Sequence, residues 1–408
     1  MRNLLVAQSG GPTAAINATV AGVVSCAVLS GKVDHIYGAV NGIEGVLAEK
    51  FLDLGKKLDS AEKISLLMQT PAAALGSCRY KLGDPEENKE DFEEILQIFR
   101  RHEIRYFIYI GGNDSMDTVD KMSKYCKENG VDDVFVVGAP KTIDNDLVET
   151  DHTPGFASAA KYVATTVREI AIDASVYDNK KSVTIVEIMG RHAGWLTAAS
   201  ALARKFEGDN PVLIYLPEVA FNQEDFIEKV KHSLETTTNL IVCVSEGIHD
   251  GNGTFICEYA SDVGVDTFGH KMLTGSGKYL ENLVKEKVGV KVRSVELNVS
   301  QRCSSSCLSK TDLDEAVAGG AFGVNSALAG ETGKMISFKR VSSNPYVMEC
   351  TTADVTAICN KEKGVPIDWI TENGSNISDE FINYASPLIQ GEVEIPMQNG
   401  LPHFAFRK

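Results

Sequence analysis

The chain has 408 residues, of which 43% are hydrophobic, and this is enough apolar material for the cores of two, at most three, domains. Its formal net charge of −16 argues against a general surface for nucleic acid or for an anionic membrane. The sequence contains no apolar run near the roughly 20 residues of a membrane span and no signal peptide before the first strand. Nine cysteines scattered through apolar segments indicate reduced thiols and a cytoplasmic protein.

The predicted elements alternate between short β-branched or aromatic runs and longer segments with a helical period. The predicted strands are Asn3–Gln8, Tyr106–Ile110, Val134–Val137, Ser182–Ile188, Val212–Leu216, Asn239–Val244 and Val292–Leu297. The predicted helices are Ala14–Leu29, Glu86–Arg101, Ser115–Cys126, Ala157–Ile172, Ala193–Ala203, Gln223–Leu234, Lys271–Val288 and Asp312–Leu328. This alternation predicts an α/β fold with mainly parallel sheets and helices on both faces of each sheet.

Polar loops follow nearly every predicted strand. They are Ser9-Gly10-Gly11, Gly111–Ser115, Lys141–Asp146, Met189-Gly190-Arg191, Ser245-Glu246-Gly247 and Gln301-Arg302. Ligands of parallel α/β folds bind at the carboxyl ends of the strands, so the sequence predicts one large polar cleft that handles phosphate. The chain lacks the phosphate loop of nucleotide-loop kinases and the dinucleotide fingerprint near its start, which excludes both of those standard classes.

The loop Gly111–Ser115 carries the clearest phosphate signal. Two glycines at a strand end let backbone N–H groups approach an anion, and the following helix aims its positive end at the same point. Asp114 would repel a bare phosphate, so this loop requires Mg²⁺, a nearby Lys or Arg, or both.

The segment Pro140–Asp146 is the strongest catalytic candidate. If it is extended, Asp144 and Asp146 point the same way, so that one carboxylate can accept a proton while the other holds a cation or raises its neighbour's pKa. Lys141 adds positive charge and Thr142 adds a hydroxyl group. The alternative interpretation is an Asx-rich turn that caps a helix.

The remaining candidates are weak when each is taken alone. Arg191 suits bidentate phosphate binding, and Glu246 can accept hydrogen bonds from sugar hydroxyls or be stabilised by a helix dipole. Arg293 and Arg302 are each more typical of a surface ion pair, and Arg79 lies in a loop with a single glycine.

Taken together, the six loops and the segment Gly76–Arg79 resemble the phosphofructokinase family in order and spacing over about residues 1–330. The resemblance implies two doubly wound, Rossmann-like domains with the active site in the cleft between them. It also implies Mg²⁺-dependent transfer of a phosphoryl group to the 1-hydroxyl of fructose 6-phosphate, by a homodimer or homotetramer.

The resemblance also implies a role for each matching residue. Asp144 would be the general base, and Asp146 would assist it and the metal. Thr142 would contact the moving phosphoryl group, and Arg191 would stabilise its charge. The sugar phosphate would be held by Thr142, Ile143, Asp144, Met189, Gly190, Arg191, Glu246, Arg293 and Arg302. The donor would be held by Gly11, Arg79, Asn113, Asp114, Ser115 and Lys141, with Asn113 and Asp114 as metal ligands.

Asp114 and Lys141 predict the donor. Family members that use ATP usually carry glycine at both positions, so the two charges resemble the pyrophosphate-dependent branch. Asp114 would repel the α-phosphate of a nucleotide, and Lys141 would neutralise a leaving phosphate that has no nucleoside attached. The alternatives are an ATP-dependent sugar-phosphate kinase and a non-catalytic sugar-phosphate sensor of the same fold.

Two positions depart from the family pattern. Asn113 stands where many members have aspartate, and Val299 stands where members commonly have His or Tyr near the sugar phosphate. These departures predict a weaker metal ligand and one missing hydrogen bond to the sugar.

The expected division places a donor domain in residues 1–150 with part of the segment 265–340. A fructose-6-phosphate domain takes residues 151–264 and about 290–305, because turn residues cluster at 151–155. Residues 341–408 would pack on the core without an assigned function.

Overall fold

The computed structural model describes residues 2–206, 208–259 and 275–405, and it divides into two compact units. Unit 1 takes its described residues from Met1–Ser158, Arg302–Glu362 and Ile389–Lys408, and unit 2 from Ala159–Gln301 and Lys363–Leu388. The first boundary between the two units therefore follows Ser158, whereas the sequence analysis placed it after residue 150. The C-terminal segment is divided between the units instead of forming one piece. Residues 265–274, which include the first four of the predicted helix Lys271–Val288, lie outside the described ranges.

The strands are numbered in chain order. They are β1 (Asn3–Gln8), β2 (Ile36–Ala39), β3 (Phe51–Asp53), β4 (Ile104–Gly111), β5 (Phe135–Pro140), β6 (Ser182–Ile188), β7 (Leu213–Tyr215), β8 (Asn239–Ser245), β9 (Lys291–Glu296), β10 (Lys334–Ser343), β11 (Tyr346–Asp354), β12 (Ile370–Thr371), β13 (Asn376–Ile377), β14 (Met397–Gln398) and β15 (Leu401–Pro402). All seven predicted strands are present with small shifts at their ends. The pairs β2–β3 and β10–β11 were not predicted.

The α-helices are numbered in the same way. They are α1 (Ile16–Ser30), α2 (Gly42–Leu47), α3 (Leu54–Lys57), α4 (Ala61–Met68), α5 (Lys89–Arg101), α6 (Asn113–Glu128), α7 (Phe156–Ser175), α8 (Trp195–Ala198), α9 (Gln223–Thr236), α10 (Ser276–Val288), α11 (Lys310–Leu328) and α12 (Asp379–Ala385). The predicted helix Ala193–Ala203 is wrong as one element, because the four-residue α8 passes into a 3-10 helix at Ala199–Ala203.

Unit 1 is built on a seven-stranded sheet in the order β11-β10-β5-β4-β1-β2-β3. Its five central strands are parallel, and the edge strands β3 and β11 are antiparallel to their neighbours. Alternate residues of β1 enter different cores: Leu5 packs on one face and Leu4 and Val6 on the other. Burial on both faces explains why these strands are continuous apolar runs in the sequence.

Helices α1 and α11 cover one face of this sheet and approach each other closely. A Cβ atom on Gly22 would lie 2.1 Å from the carbonyl oxygen of Val317, and one on Gly320 would lie 2.1 Å from that of Thr19. The two glycines therefore allow backbone contact between the helices, and this contact fixes α1 behind the first glycine loop.

Unit 2 contains a four-stranded parallel sheet in the order β7-β8-β6-β9. The register pairs Ile188 with Ser245 and Glu187 with Glu296, so β6, β8 and β9 end at the same edge. The predicted α/β class with mainly parallel sheets is confirmed in both units. Within the described ranges, no helix is both long enough and apolar enough to cross a membrane.

Candidate active site

The glycine turn after β1 surrounds a buried lysine. Lys141 is 3% exposed, and its Nζ donates a hydrogen bond to the carbonyl oxygen of Gly11 at 2.8 Å. Gly10 adopts a left-handed φ of 74°, and a Cβ atom there would lie 3.0 Å from that Nζ. Arg302 Nη1 would lie 3.9 Å from a Cβ on Gly11. The turn is therefore shaped around two cationic side chains.

The second glycine loop lies beside the first. Lys141 N donates to Gly111 O at 3.0 Å, and Ser9 N donates to the carbonyl oxygen of Ile110 at 3.0 Å. A side chain at Gly111 would collide with the Ser115 hydroxyl, at 1.8 Å. Gly112 is the N-cap of α6 and has no side chain that could cap the helix; its carbonyl oxygen accepts from Ser115 N at 3.0 Å and from Met116 N at 3.1 Å. The N–H groups that the start of α6 can offer to an anion are therefore those of Asn113 and Asp114.

Asn113 and Asp114 are placed differently from the expectation that both bind a metal. The Asn113 amide is bound on both sides: its Oδ1 accepts from Asn360 N at 2.7 Å, and its Nδ2 donates to Lys361 O at 2.6 Å. Asp114 has a side chain 83% exposed, with Lys81 Nζ 3.5 Å from its Oδ1. Asn113 therefore anchors the segment that follows β11, and Asp114 faces solvent at the start of α6.

The loop that carries the two predicted catalytic carboxylates is bent and not extended. Asn145 has a left-handed φ of 55°, and its side chain is fully buried. Asn145 Oδ1 accepts a hydrogen bond from Thr153 N at 3.0 Å. Thr142 Oγ1 receives the Asp144 N–H at 3.0 Å and donates to Asp144 Oδ2 at 3.2 Å. The bend, and not strand alternation, therefore sets the directions of Asp144 and Asp146.

The charges of this loop oppose one another. Burial raises the pKa of Asp144 above the usual range, and burial together with the Asp144 charge raises the pKa of Asp146. Burial also lowers the pKa of Lys141 to about 8; the two aspartates counteract this, while Arg302 and Arg79 reinforce it. In the free protein, the ionised forms of Lys141, Asp144 and Asp146 are therefore disfavoured. A cation bound at the two aspartates and an anion bound at the lysine would reduce this cost.

The aspartate pair suits Mg²⁺ better than the predicted pair Asn113 and Asp114. No cluster of three or more His, Cys, Asp or Glu side chains that could hold a metal occurs in the described part of the chain. Mg²⁺, however, is commonly bound by one or two carboxylates, with waters and substrate phosphates completing its shell. Two mutually repelling carboxylates with raised pKa values fit such an ion.

In unit 2, three loops meet at the end of the sheet. Gly190 N donates to Glu246 Oε1 at 3.4 Å, and Gly247 N donates to the carbonyl oxygen of Gly190 at 3.2 Å. Met189 N donates to Oε1 of the buried Gln301 at 3.2 Å. These contacts bring together the predicted sugar-phosphate residues Met189, Gly190 and Glu246, with Arg191 next in the chain.

Arg293 does not join this group. It pairs in register with Thr184, five residues before Met189, which places its backbone about 16 Å from the level of Met189 at roughly 3.3 Å per residue. It lines a cavity of about 360 Å³ with Lys180, Lys181 and Lys291. Arg302, the other predicted arginine, belongs to unit 1 beside Gly11.

The sequence did not reveal one supporting residue, Glu218. Its Oε1 accepts hydrogen bonds from Gly194 N and Val365 N, both at 2.8 Å, and so fixes the chain just after Arg191. The available signal was a carboxylate two residues after a predicted strand, because Glu246 occupies the same position after Asn239–Val244.

Both units therefore belong to an α/β protein whose strand-end loops suit phosphate groups. A model of the family described as phosphofructokinase matches residues 3–319. A pyrophosphate–fructose 6-phosphate 1-phosphotransferase of Xanthomonas campestris is 42% identical over 408 residues, which cover 100% of this chain and 96% of that protein. The enzyme of the same name from Halomonas elongata is 40% identical over 405 residues, covering 99% and 95%.

A solved structure is equally similar. The pyrophosphate-dependent phosphofructokinase from Marinobacter aquaeolei superposes with a TM-score of 0.89 and 37% identity, covering 100% of this chain and 96% of that one. The chain belongs to the phosphofructokinase family and is a phosphotransferase.

Proposed function

We propose that the protein transfers a phosphoryl group reversibly from pyrophosphate to the 1-hydroxyl of fructose 6-phosphate, giving fructose 1,6-bisphosphate and phosphate. The observation that carries this proposal is Lys141, a buried ammonium group at the donor turn whose charge is disfavoured until an anion binds. The names of the relatives that share 40–42% identity over the full chain support the same donor and acceptor.

The donor would bind between the two glycine loops of unit 1. Gly11, Lys141 and the start of α6, whose N-cap glycine has no capping side chain, would offer backbone N–H groups and positive charge to one anion. Asp114, at the start of the same helix, would place negative charge where a nucleotide continues beyond its terminal phosphates. Pyrophosphate has no such continuation.

Asp144 would act as the general base. It accepts the proton of the 1-hydroxyl as that oxygen attacks phosphorus, and the bridging P–O bond breaks with its electron pair leaving on phosphate. The hydrogen bond from Thr142 holds the carboxylate in one orientation. Asp146 and Asp144 would hold Mg²⁺, which when bound neutralises charge on the phosphate oxygens.

The acceptor would use the loops of unit 2. Glu246 and the Met189-Gly190 backbone suit sugar hydroxyls, and Arg191 suits the charge of the phosphoryl group in transfer. Arg293 has no part in this group, because its register places it about 16 Å away on roughly 3.3 Å per residue.

The test measures fructose 1,6-bisphosphate formed from fructose 6-phosphate and Mg²⁺, with pyrophosphate and ATP supplied separately. We expect turnover with pyrophosphate and at most trace turnover with ATP. A parallel preparation of Asp144→Asn controls for contaminating kinases. Turnover with ATP alone would overturn the donor assignment, and turnover with neither would favour another sugar phosphate or a sensor.

A further inference from the structure

The loop that carries Asp144 ends in a buried histidine between two carboxylates. His152 is 1% exposed, with Nδ1 2.8 Å from Asp151 Oδ1 and Nε2 2.6 Å from Glu315 Oε2. Its ring stacks on Phe338 of β10, with the centroids 5.5 Å apart. A histidine bound at both nitrogens by acidic groups is fixed in position and orientation.

Both acidic partners of His152 also accept hydrogen bonds from other donors. Arg340 Nη2 donates to Asp151 Oδ1 at 2.9 Å, and the Tyr346 hydroxyl donates to Glu315 Oε1 at 2.7 Å. Burial opposes ionisation of Asp151, but the hydrogen bonds and charges of His152 and Arg340 outweigh it and hold the pKa of that carboxyl below its usual range. Each ring nitrogen faces a carboxylate oxygen, and only an imidazolium can donate to both of them.

The other groups around the ring agree with this charge. Burial alone would lower the pKa of His152, but the hydrogen bonds and charges of Asp151 and Glu315 outweigh it and raise the pKa to about 9. Asp312 of α11 adds a further nearby carboxylate, and Arg340 is the opposing cation, 5.1 Å above the ring of Tyr346.

Thr153, the residue after His152, connects the histidine to the catalytic loop through two hydrogen bonds. Thr153 Oγ1 donates to the carbonyl oxygen of Thr142 at 2.9 Å, and Thr153 N donates to Asn145 Oδ1 at 3.0 Å. These two contacts lie on either side of Asp144. Gly155 N is in turn held by Asp312 Oδ1 at 2.9 Å. The two hydrogen bonds that flank Asp144 are therefore made by Thr153, the residue directly after His152.

We propose that His152, as an imidazolium clamped between Asp151 and Glu315, is a positioning residue for the general base Asp144. It acts through the Thr153 contacts, and the hairpin β10–β11 supplies the Arg340 and Tyr346 that hold its partners. This inference rests on the proposed function for its kinetic readout only. It also gives the hairpin, which lies beyond the matched residues 3–319, a part in the reaction.

The first test compares His152→Gln with His102→Gln. His102 Nε2 also lies 2.6 Å from a carboxylate oxygen, that of Glu49, but far along the chain from the catalytic loop. We expect His152→Gln to lower kcat about 10- to 100-fold with both KM values nearly unchanged, because small misplacement of a catalytic group costs rate. His102→Gln should keep the wild-type kcat. A folded His152→Gln protein with unchanged kcat refutes the proposal, even if its Tm falls.

The second test needs no turnover. Hydrogen–deuterium exchange over residues 142–146 should be faster in His152→Gln than in wild type and unchanged in His102→Gln. If the wild type proves inactive with pyrophosphate and fructose 6-phosphate, the proposed function fails, and exchange still decides the positioning role. Equal exchange in all three proteins refutes it.

A third measurement covers the case in which His152→Gln does not fold. Histidine-labelled wild type is titrated by carbon NMR, and Glu315→Gln, which keeps an acceptor but removes its charge, serves as the conservative variant. The buried ring should stay charged beyond pH 8 in wild type and lose its proton at lower pH in Glu315→Gln. A ring that is neutral at pH 7 in wild type refutes the imidazolium clamp.

Discussion

Replacing Lys141 with methionine should stabilise the free protein while removing its donor site. The difference between the usual pKa of 10.5 and about 8 corresponds to about 3 kcal/mol by which folding disfavours the buried ammonium. Methionine keeps the length of the side chain but leaves the carbonyl oxygen of Gly11 without its donor, at a cost of about 1–2 kcal/mol. The net expectation at pH 7 is a gain of about 1–2 kcal/mol.

The sign of the pH dependence follows from the lowered pKa. Below pH 8 the native state bears the whole penalty of a charge that the unfolded chain carries freely. Between pH 8 and 10.5 the native state has lost the proton while the unfolded chain still binds it, so the stability of the wild type rises with pH and the advantage of Lys141→Met should shrink. Lys63→Met, at a lysine 53% exposed and paired with Asp59, should change stability by less than about 0.5 kcal/mol.

Calorimetry with and without pyrophosphate completes this test. Wild type should gain stability on adding pyrophosphate, because the anion offsets the penalty on the ammonium, whereas Lys141→Met should gain much less. The reasoning is refuted if Lys141→Met is less stable than wild type at pH 7. It is also refuted if pyrophosphate stabilises both proteins equally.

Four further predictions concern the carboxylates and the helix contact. Asp144→Asn should lower kcat about 10²- to 10⁴-fold, while Asp146→Asn should move the acid limb of the pH–rate profile to lower pH because mutual repulsion is removed. Asp114→Gly should leave Tm nearly unchanged, since the side chain is 83% exposed, and should raise turnover with ATP relative to pyrophosphate; an unaltered donor ratio would contradict its selecting role. Gly320→Ala should cost about 1–3 kcal/mol in urea unfolding because its Cβ meets the facing helix, whereas Gly251→Ala meets open space and should cost little.

The parallel strands β1, β4, β6 and β8 were predictable because each is buried on both faces and reads as a largely continuous apolar run. The hairpin β10–β11 was missed because its residues alternate and carry charge, as in Lys339 and Arg340, so the run resembles an irregular tail. Its partner β5 lies about 200 residues earlier, and no local pattern records such a pairing.

The ends of the predicted strands located most residues of the candidate site, but they did not predict how those residues are arranged in space. The sequence placed Lys141, Asp144 and Asp146 in one loop, yet the bend at Asn145 depends on a hydrogen bond from Thr153. Asn113 was predicted to bind a metal because the sequence shows its place in the loop Gly111–Ser115. Its hydrogen bonds to residues 360 and 361 depend on folding of the distant tail.

The division of the chain between the units has a consequence for synthesis on the ribosome. Strand β10 borders β5 in the sheet of unit 1, but about 200 residues of chain separate them in the sequence. At about 5–20 residues per second, roughly 10–40 s pass before β5 can meet this neighbour. All four strands of the unit 2 sheet leave the ribosome during that delay. Unit 2 can therefore form its sheet before the sheet of unit 1 is complete. Until β10 has been synthesised, the edge of β5 that pairs with it stays unpaired.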